Sequence, residues 1–249
     1  HQPLLQASRL GAVLPLVVVE PAFWQQPDAS ARHWAFCAEG LEELRLELAR
    51  LGQPLVVRVG AVEEVLERAR RQFGVAGLWS HEETGNGWTY ARDRRVTAWA
   101  REHGIPWHEI PQFGVIRRLA SRDGWARRWE ARMAEPLAQP PEALAPLEGL
   151  EPGPIPTASE LALAPDLCPG RQKGGRREGL ALLESFLEER GVRYHRELSS
   201  PVTAFESCSR LSAHLAWGTL SMREVIQASR RRGAALRALP APELSLIHI

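Results

Sequence analysis

Val13-Leu14-Pro15-Leu16-Val17-Val18-Val19 is an almost wholly apolar run about one strand long. A strand with one wet face alternates apolar and polar residues. An unbroken apolar run belongs instead to a strand buried on both faces, as in parallel sheets covered by helices. Outward from it, Trp34, Cys37, Leu41, Leu44, Leu48 and Leu51 recur at helical spacing between residues 30 and 51, and Gly52 supplies a stop. Leu55-Val56-Val57-Arg58-Val59 reads as a second strand. Val62, Val65, Leu66, Ala69 and Phe73 then mark one helix face, followed by Gly74 and the strand-like Val75-Ala76-Gly77-Leu78-Trp79. A further helix from Tyr90 to His103 leads through Gly104 into Ile105-Pro106-Trp107-His108-Glu109-Ile110. Strand and helix alternating at this spacing predict crossover units and an α/β fold with a doubly wound parallel sheet. No Gly-x-Gly-x-x-Gly follows any of these strands, so a dinucleotide site cannot be placed on this part by motif.

With 249 residues and 44% hydrophobic content, the chain can bury a sizeable core. Its 31 Lys and Arg against 30 Asp and Glu leave a net charge of +1, which singles out no partner. The distribution is less even: residues 171–232 hold 12 basic and 7 acidic residues, a local +5. Such a segment suits a polyanion, although many solvated faces have the same composition. Cys37, Cys168 and Cys208 are far apart and odd in number, without the spacing of a zinc site, cluster or disulfide framework, so no metal is expected. No apolar run approaches the roughly 20 residues needed to cross a bilayer. The expectation is a soluble, cytoplasmic monomer without membrane association.

Nine of the 19 prolines fall between Pro136 and Pro169, where the chain can neither continue a helix nor enter a central strand. This places an α/β domain at 1–134, a proline-rich interdomain linker at 135–173 and an all-α domain from 174 to 249. In the last, Leu180, Leu183, Phe186 and Leu187 describe one amphipathic helix ended by Gly191, and Leu211, Leu215, Leu220, Val225 and Ile226 suggest others.

The chemistry concentrates after Tyr194. The run Cys208-Ser209-Arg210-Leu211-Ser212-Ala213-His214-Leu215-Ala216-Trp217-Gly218, closed by Leu220-Ser221-Met222-Arg223-Glu224, sets two hydroxyls, a guanidinium and exposed amides just ahead of an apolar helical stretch. Those groups suit a phosphate. Ser209 or Ser212 serving simply as an N-cap, with Arg210 as a surface charge, is the alternative, a cap contributing about 1 kcal/mol. The order of Tyr194, Ser209-Arg210-Leu211-Ser212 and Gly218-Thr219-Leu220-Ser221 resembles the flavin-phosphate segment of the DNA photolyase and cryptochrome family. The resemblance implies that Tyr194, Ser209, Arg210, Leu211 and Ser212 lie beside the phosphates of FAD.

Several positions depart from that family's pattern. Cys208 stands where many relatives have threonine, with a plain buried thiol as the alternative, and two extra residues lie between Pro201 and the motif. Leu198 occupies the place of a basic residue that touches DNA phosphate. Trp88-Thr89 stands ahead of Arg92-Asp93 where folate-binding members have Asn-Glu, which argues against a folate antenna and leaves the antenna chromophore open. The chain opens as if cut just after the family's first strand, an edge strand in this reading, and ends well before the end of the family's helical domain. Residues 244–249 depart from the preceding Arg/Ala-rich pattern. Arg117, Arg118, Arg122, Arg127, Arg128 and Arg132 with Trp125 and Trp129 fit either a nucleic-acid surface or a helix docking its tryptophans into the core. His81-Glu82-Glu83 reads as a polar loop beyond a strand end.

The function that the resemblance implies is blue-light-driven DNA repair, in which reduced FAD passes an electron to a pyrimidine dimer in DNA and splits it. The enzyme class is a deoxyribodipyrimidine photolyase-like lyase. Its catalytic residues fall outside the chain, and the chain alone is expected to be inactive. A cryptochrome-type blue-light photoreceptor without repair activity is the first alternative. A non-enzymatic nucleotide-binding protein is the second.

Overall fold

The computed structural model describes residues 1–166 and 168–238; residues 244–249, singled out above, lie outside them. A short helix α1 (Gln2–Ser8), which the sequence pattern did not suggest, precedes β1 (Leu16–Val19). Then follow α2 (Pro21–Trp24), α3 (Ala31–Arg50), β2 (Val56–Val59), α4 (Val62–Phe73), β3 (Leu78–His81), α5 (Gly87–Glu102) and β4 (Trp107–Ile110). The fold is α/β. β1 pairs with β2 and β3 with β4, each in parallel and each reached through a crossover helix, with Leu16 opposite Val56 and Leu78 opposite Trp107. Among the described residues the sheet is present as these two two-stranded ribbons.

Alternation along β1 explains why its sequence is apolar throughout. Val17 and Val19 face one cluster, built from Trp24 of α2, Trp34 and Leu48 of α3, and Val57 of β2. Leu16 faces the other, built from Leu66 of α4 with Val96, Trp99 and Ala100 of α5, and joined by Leu78 and Trp107. Helices therefore cover both faces, the doubly wound arrangement expected of such a strand. The α3 face is the predicted one at all but one position: Trp34 and Leu48 are buried in the cluster and Cys37, Leu41 and Leu51 pack against it, whereas Leu44 is 43% exposed. The third strand begins three residues later than its apolar signal: Val75 packs on the second cluster from the turn before β3.

The chain divides into two compact units, one of residues 1–120 and 138–171, the other of 121–137 and 172 onward. This division differs from the boundaries 1–134, 135–173 and 174–249, and contacts explain both differences. The proline-rich stretch is not a free linker over most of its length. Leu144 and Leu161 are buried in the first cluster, the Trp34 indole donates to the Pro156 carbonyl (2.8 Å), and the Val57 amide donates to the Pro152 carbonyl (2.8 Å). Proline-rich extended chain has few donors of its own but offers carbonyls, and here they accept from the edge of β2 and from α3. Helix α6 (Trp125–Ala134) belongs to the second unit through Gln227, whose side-chain amide donates to the carbonyls of Met133 (2.9 Å) and Glu135 (2.8 Å).

In the second unit, α7 (Arg176–Glu188) leads into a 3₁₀ turn (Arg190–Arg193), then α8 (Tyr194–Glu197), α9 (Ala204–Ser207), α10 (Ser212–Ala216) and α11 (Met222–Arg237). Its core holds Leu183, Phe186, Leu187, Leu211 and Leu220. Ser221 caps α11 by accepting from the Glu224 amide (3.1 Å), the geometry that Ser-x-x-Glu predicts. Glu224 also accepts both guanidinium bonds of Arg176 (2.9 and 2.6 Å), tying α11 to the start of α7. Trp125 of α6 is 38% exposed, Met133 is the buried residue of that helix, and Arg230 covers the Trp129 ring at 5.9 Å while pairing with Glu130. Among the described residues neither tryptophan belongs to a buried core cluster. Among the described residues no helix is long and apolar enough to cross a membrane.

Candidate functional site

Cys208 to Ser212 form a loop between two very short helices, and its backbone has an uncommon shape. Cys208 is extended (φ −81°, ψ 156°), Arg210 is left-handed at φ +60°, and Leu211 returns to the right-handed region (φ −85°, ψ −7°). A non-glycine residue at positive φ costs on the order of 1–3 kcal/mol and persists only where its surroundings hold it. Left-handed next to right-handed backbone curls successive amides into a concavity that suits anions.

The hydrogen bonding divides the loop into two sides. Its carbonyls are occupied: Cys208 and Ser209 accept from the Arg190 guanidinium, Arg210 accepts from the Gln172 side-chain amide (2.6 Å), and Leu211 accepts from the Leu215 amide (2.9 Å). The donors are not. Among the described residues, the amides of Ser209, Arg210, Leu211 and Ser212 and the hydroxyls of both serines have no protein partner. The Arg210 guanidinium likewise has no carboxylate among the described residues and lies 3.9 Å over the Phe205 ring. Four backbone donors, two hydroxyls and one cation without an anion are the complement of a phosphate.

The sequence expectation of a helix N-terminus behind this loop is corrected in one respect. Helix α10 has five residues and Leu211 at its N-cap, with no side chain capping it. Neither serine acts as a cap, and a helix of that length contributes little dipole, since the effect rests on aligned peptides over several turns. The donors come from loop curvature instead.

Of the five residues singled out by sequence, Ser209 and Arg210 are half-buried in the loop and Ser212 is exposed at the start of α10. Leu211 is buried in the core with Leu183 and Phe186, so only its amide faces the site. Tyr194 is half-buried against the same core, edge-on to Phe186 at 5.7 Å, so one cluster ties it to Leu211. Three residues were not legible from the pattern. Arg190 reads in sequence as a basic helix end before Gly191, Gln172 as linker, and Phe205 as part of the two-residue-longer segment, which forms the helical turn α9 and presents that ring to Arg210.

In the first unit the strand ends carry a second polar cluster. Glu20, directly after β1, is buried and accepts from the Val62 amide (3.3 Å), capping α4. Arg92 reaches Asp93 (2.9 Å), Glu83 (3.3 Å) and Glu20 (3.9 Å), and Arg95 pairs with Glu63 and approaches Glu20 (3.9 Å). Burial raises the pKa of Glu20 and of Asp93, opposed for Glu20 by the Val62 amide and Arg92, and for Asp93 by Arg92. Beside them Arg117 pairs with Glu109 and Glu82 (3.6 Å). His81 lies with Nδ1 3.1 Å from the Ile110 carbonyl. Asn86 caps α5, accepting from the Trp88 (3.0 Å) and Thr89 (3.2 Å) amides at the positions that depart from the folate pattern. Burial pushes the Cys37 thiol well above the ordinary thiol range, which makes it inert packing; Cys208 is half-buried.

Comparison with known proteins bears on the chain as a whole. The DNA photolyase family model matches residues 1–116. The chain is 27% identical to a deoxyribodipyrimidine photo-lyase of Streptomyces griseus over 93% of its own length and 52% of that protein, and 33% identical to the photo-lyase of Thermus thermophilus over 94% and 52%. It is also 27% identical to the cryptochrome DASH of Gloeobacter violaceus over 90% and 49%. The chain thus spans about half the length of the curated relatives it matches. Among solved structures, a Synechocystis cryptochrome superposes with a TM-score of 0.76 at 20% identity, covering 99% of this chain and 55% of that one. An archaeal photolyase from Sulfolobus tokodaii, solved with two FAD molecules, gives 0.66 at 22%, covering 95% and 54%. Fold, motif order and relatives agree in supporting the DNA photolyase and cryptochrome family for this chain.

Proposed function

We propose that the loop of Ser209, Arg210, Leu211 and Ser212, with Tyr194 beside it, binds the phosphates of FAD, and that the protein acts in light-driven repair of pyrimidine dimers in DNA. The observation that carries the site is the division of the loop: occupied carbonyls on one side, partnerless amides, hydroxyls and a guanidinium on the other. These donors fit a pyrophosphate, whose charge is costly to bury unpaired. Bound there, the flavin would supply the excited-state electron that splits the dimer. The chain's own part is to bind and orient: loop amides and Arg210 anchor the phosphates, and Tyr194, fixed through Phe186, borders them. In this reading the first compact unit forms the antenna domain, with the antenna chromophore left open, and the second begins the flavin domain. The partner is dimer-containing DNA, and the protein is a cytoplasmic monomer.

The presence of cryptochrome DASH proteins among the relatives favours a second reading, a blue-light photoreceptor with the same flavin and no repair. Incubation of the FAD-loaded full-length gene product with dimer-containing oligonucleotide under blue light separates the two. Dimer loss that requires both light and FAD supports repair. Intact dimers with FAD bound support the receptor, and failure to retain FAD removes both.

A further inference from the structure

Three successive peptide planes of the phosphate loop are held by their carbonyls. The Arg190 guanidinium, just past the end of α7, donates to the Cys208 carbonyl, to the Ser209 carbonyl (3.4 Å), to the Leu182 carbonyl (2.9 Å) and to the Ser185 hydroxyl (3.0 Å). Gln172 holds the Arg210 carbonyl (2.6 Å). In a trans peptide the C=O and N–H of one plane point in opposite directions, and the chain has no cis bond among the described residues. Fixing the carbonyls of Cys208, Ser209 and Arg210 therefore fixes the amides of Ser209, Arg210 and Leu211 to point away from Arg190 and Gln172. The clamp also explains how Arg210 can stay at φ +60°, a conformation that would otherwise relax.

We propose that Arg190, assisted by Gln172, is a positioning residue of the phosphate loop, holding its amides in the direction of the anion without touching it. The proposal rests on the reading of this loop as the flavin-phosphate site. Arginine suits the task because a planar fork of five donors can serve four acceptors from two chain segments at once. A lysine ammonium, with three donors on a flexible stem, cannot span them. Electrostatics point the same way. Burial and then the neighbouring Arg210 charge lower the Arg190 pKa, with Glu206 offsetting part of this. Two guanidiniums side by side repel in the free protein, and an anion held by the loop relieves that repulsion.

The test separates geometry from charge. Nitrogen–proton correlation spectra of the chain are titrated with FAD, and with riboflavin as the phosphate-free control; this readout registers weak binding. In the wild type, FAD shifts the amides of Ser209 to Ser212 and riboflavin does not. Arg190→Lys, which keeps the charge and loses the fork, weakens FAD binding at least about tenfold, as expected for loss of a charge-assisted hydrogen bond. Gln172→Leu weakens it by roughly threefold to tenfold on the same basis. In both variants resonances outside the loop keep their positions, a readout that a general folding defect would move. FAD affinity in Arg190→Lys within about twofold of wild type overturns the positioning role while leaving the phosphate reading intact. Should Arg190→Lys disturb α7, Gln172→Leu decides, and undiminished affinity there overturns the clamp. If FAD leaves the four wild-type amides unshifted, the phosphate reading itself falls and takes the clamp with it.

Discussion

The strand ends of the first unit and the Cys208–Ser212 loop of the second both gather arginines at chain turns, yet their charges are resolved in opposite ways. At the strand ends Arg92 and Arg95 are met by Glu20, Glu83, Asp93 and Glu63, and Arg117 by Glu82 and Glu109. That cluster neutralises itself. In the loop, acceptors are consumed by Arg190 and Gln172 while the donors and Arg210 meet no carboxylate among the described residues. A self-neutralised cluster contributes to stability and specificity of packing, whereas surplus donors are held ready for an anion from outside. The lesson is that counting arginines does not find a site; the partners they lack do.

The contrast would break if the two regions responded alike to losing an arginine. Arg92→Met leaves buried Glu20 and half-buried Asp93 and Glu83 without the guanidinium they share and is expected to destabilise the chain by about 1–3 kcal/mol in denaturant titration, the cost of removing one partner from a buried ionic group reduced by its partial exposure. Its deficit should shrink at acidic pH, because burial already raises the pKa of Glu20 and Asp93 and protonation removes their repulsion. Arg210→Ala should do the reverse. Its FAD affinity falls by roughly tenfold to a hundredfold, the worth of a hydrogen bond to a charged group, while stability changes by less than about 1 kcal/mol because only a contact to exposed Phe205 is lost. Binding can be followed by flavin fluorescence, and stability by circular dichroism on the same samples. A large stability loss in Arg210→Ala, or unchanged FAD affinity, would erase the distinction.

Two smaller effects sharpen it from the core behind the loop. A Cβ on Gly179 of α7 would lie 2.8 Å from His214 Nδ1 and 3.0 Å from Leu220. Gly179→Ala should therefore destabilise by about 1 kcal/mol, an overpacking penalty of about 1–3 kcal/mol partly offset by roughly 1 kcal/mol of helix propensity. Thermal unfolding gives the sign, and a stabilised variant would show that α7 can shift freely. Burial holds the His214 pKa below its ordinary 6.5, with Glu178 pulling weakly the other way, while Nδ1 contacts the Thr219 hydroxyl at 2.8 Å. The unfolded chain thus binds the proton more readily. Stability is fully present above about pH 6.5 and declines as pH falls below that value. His214→Gln should flatten that slope; an unchanged slope would assign it to other groups.

Much of this protein was legible in its residues. The apolar run before Val19 required a strand covered on both faces, because no alternation was left for water, and the helical spacing after it required crossovers. The order of Tyr194, Ser209, Arg210, Leu211 and Ser212 pointed to the loop and to the family. Periodicity could not place residues whose roles depend on partners far along the chain. The proline-rich stretch looked like a linker because prolines forbid regular structure, yet Leu144 and Leu161 complete the first core. Trp125 and Trp129 looked like core residues at helical spacing, yet Met133 took the buried place. Arg190 and Gln172 carry no local signal at all: they lie 18 and 38 residues from the carbonyls they hold. Local pattern fixes which faces are apolar and which groups could bind a phosphate. Only the folded chain decides which of those groups already have partners, because hydrogen bonds between distant segments are settled by packing and not by spacing.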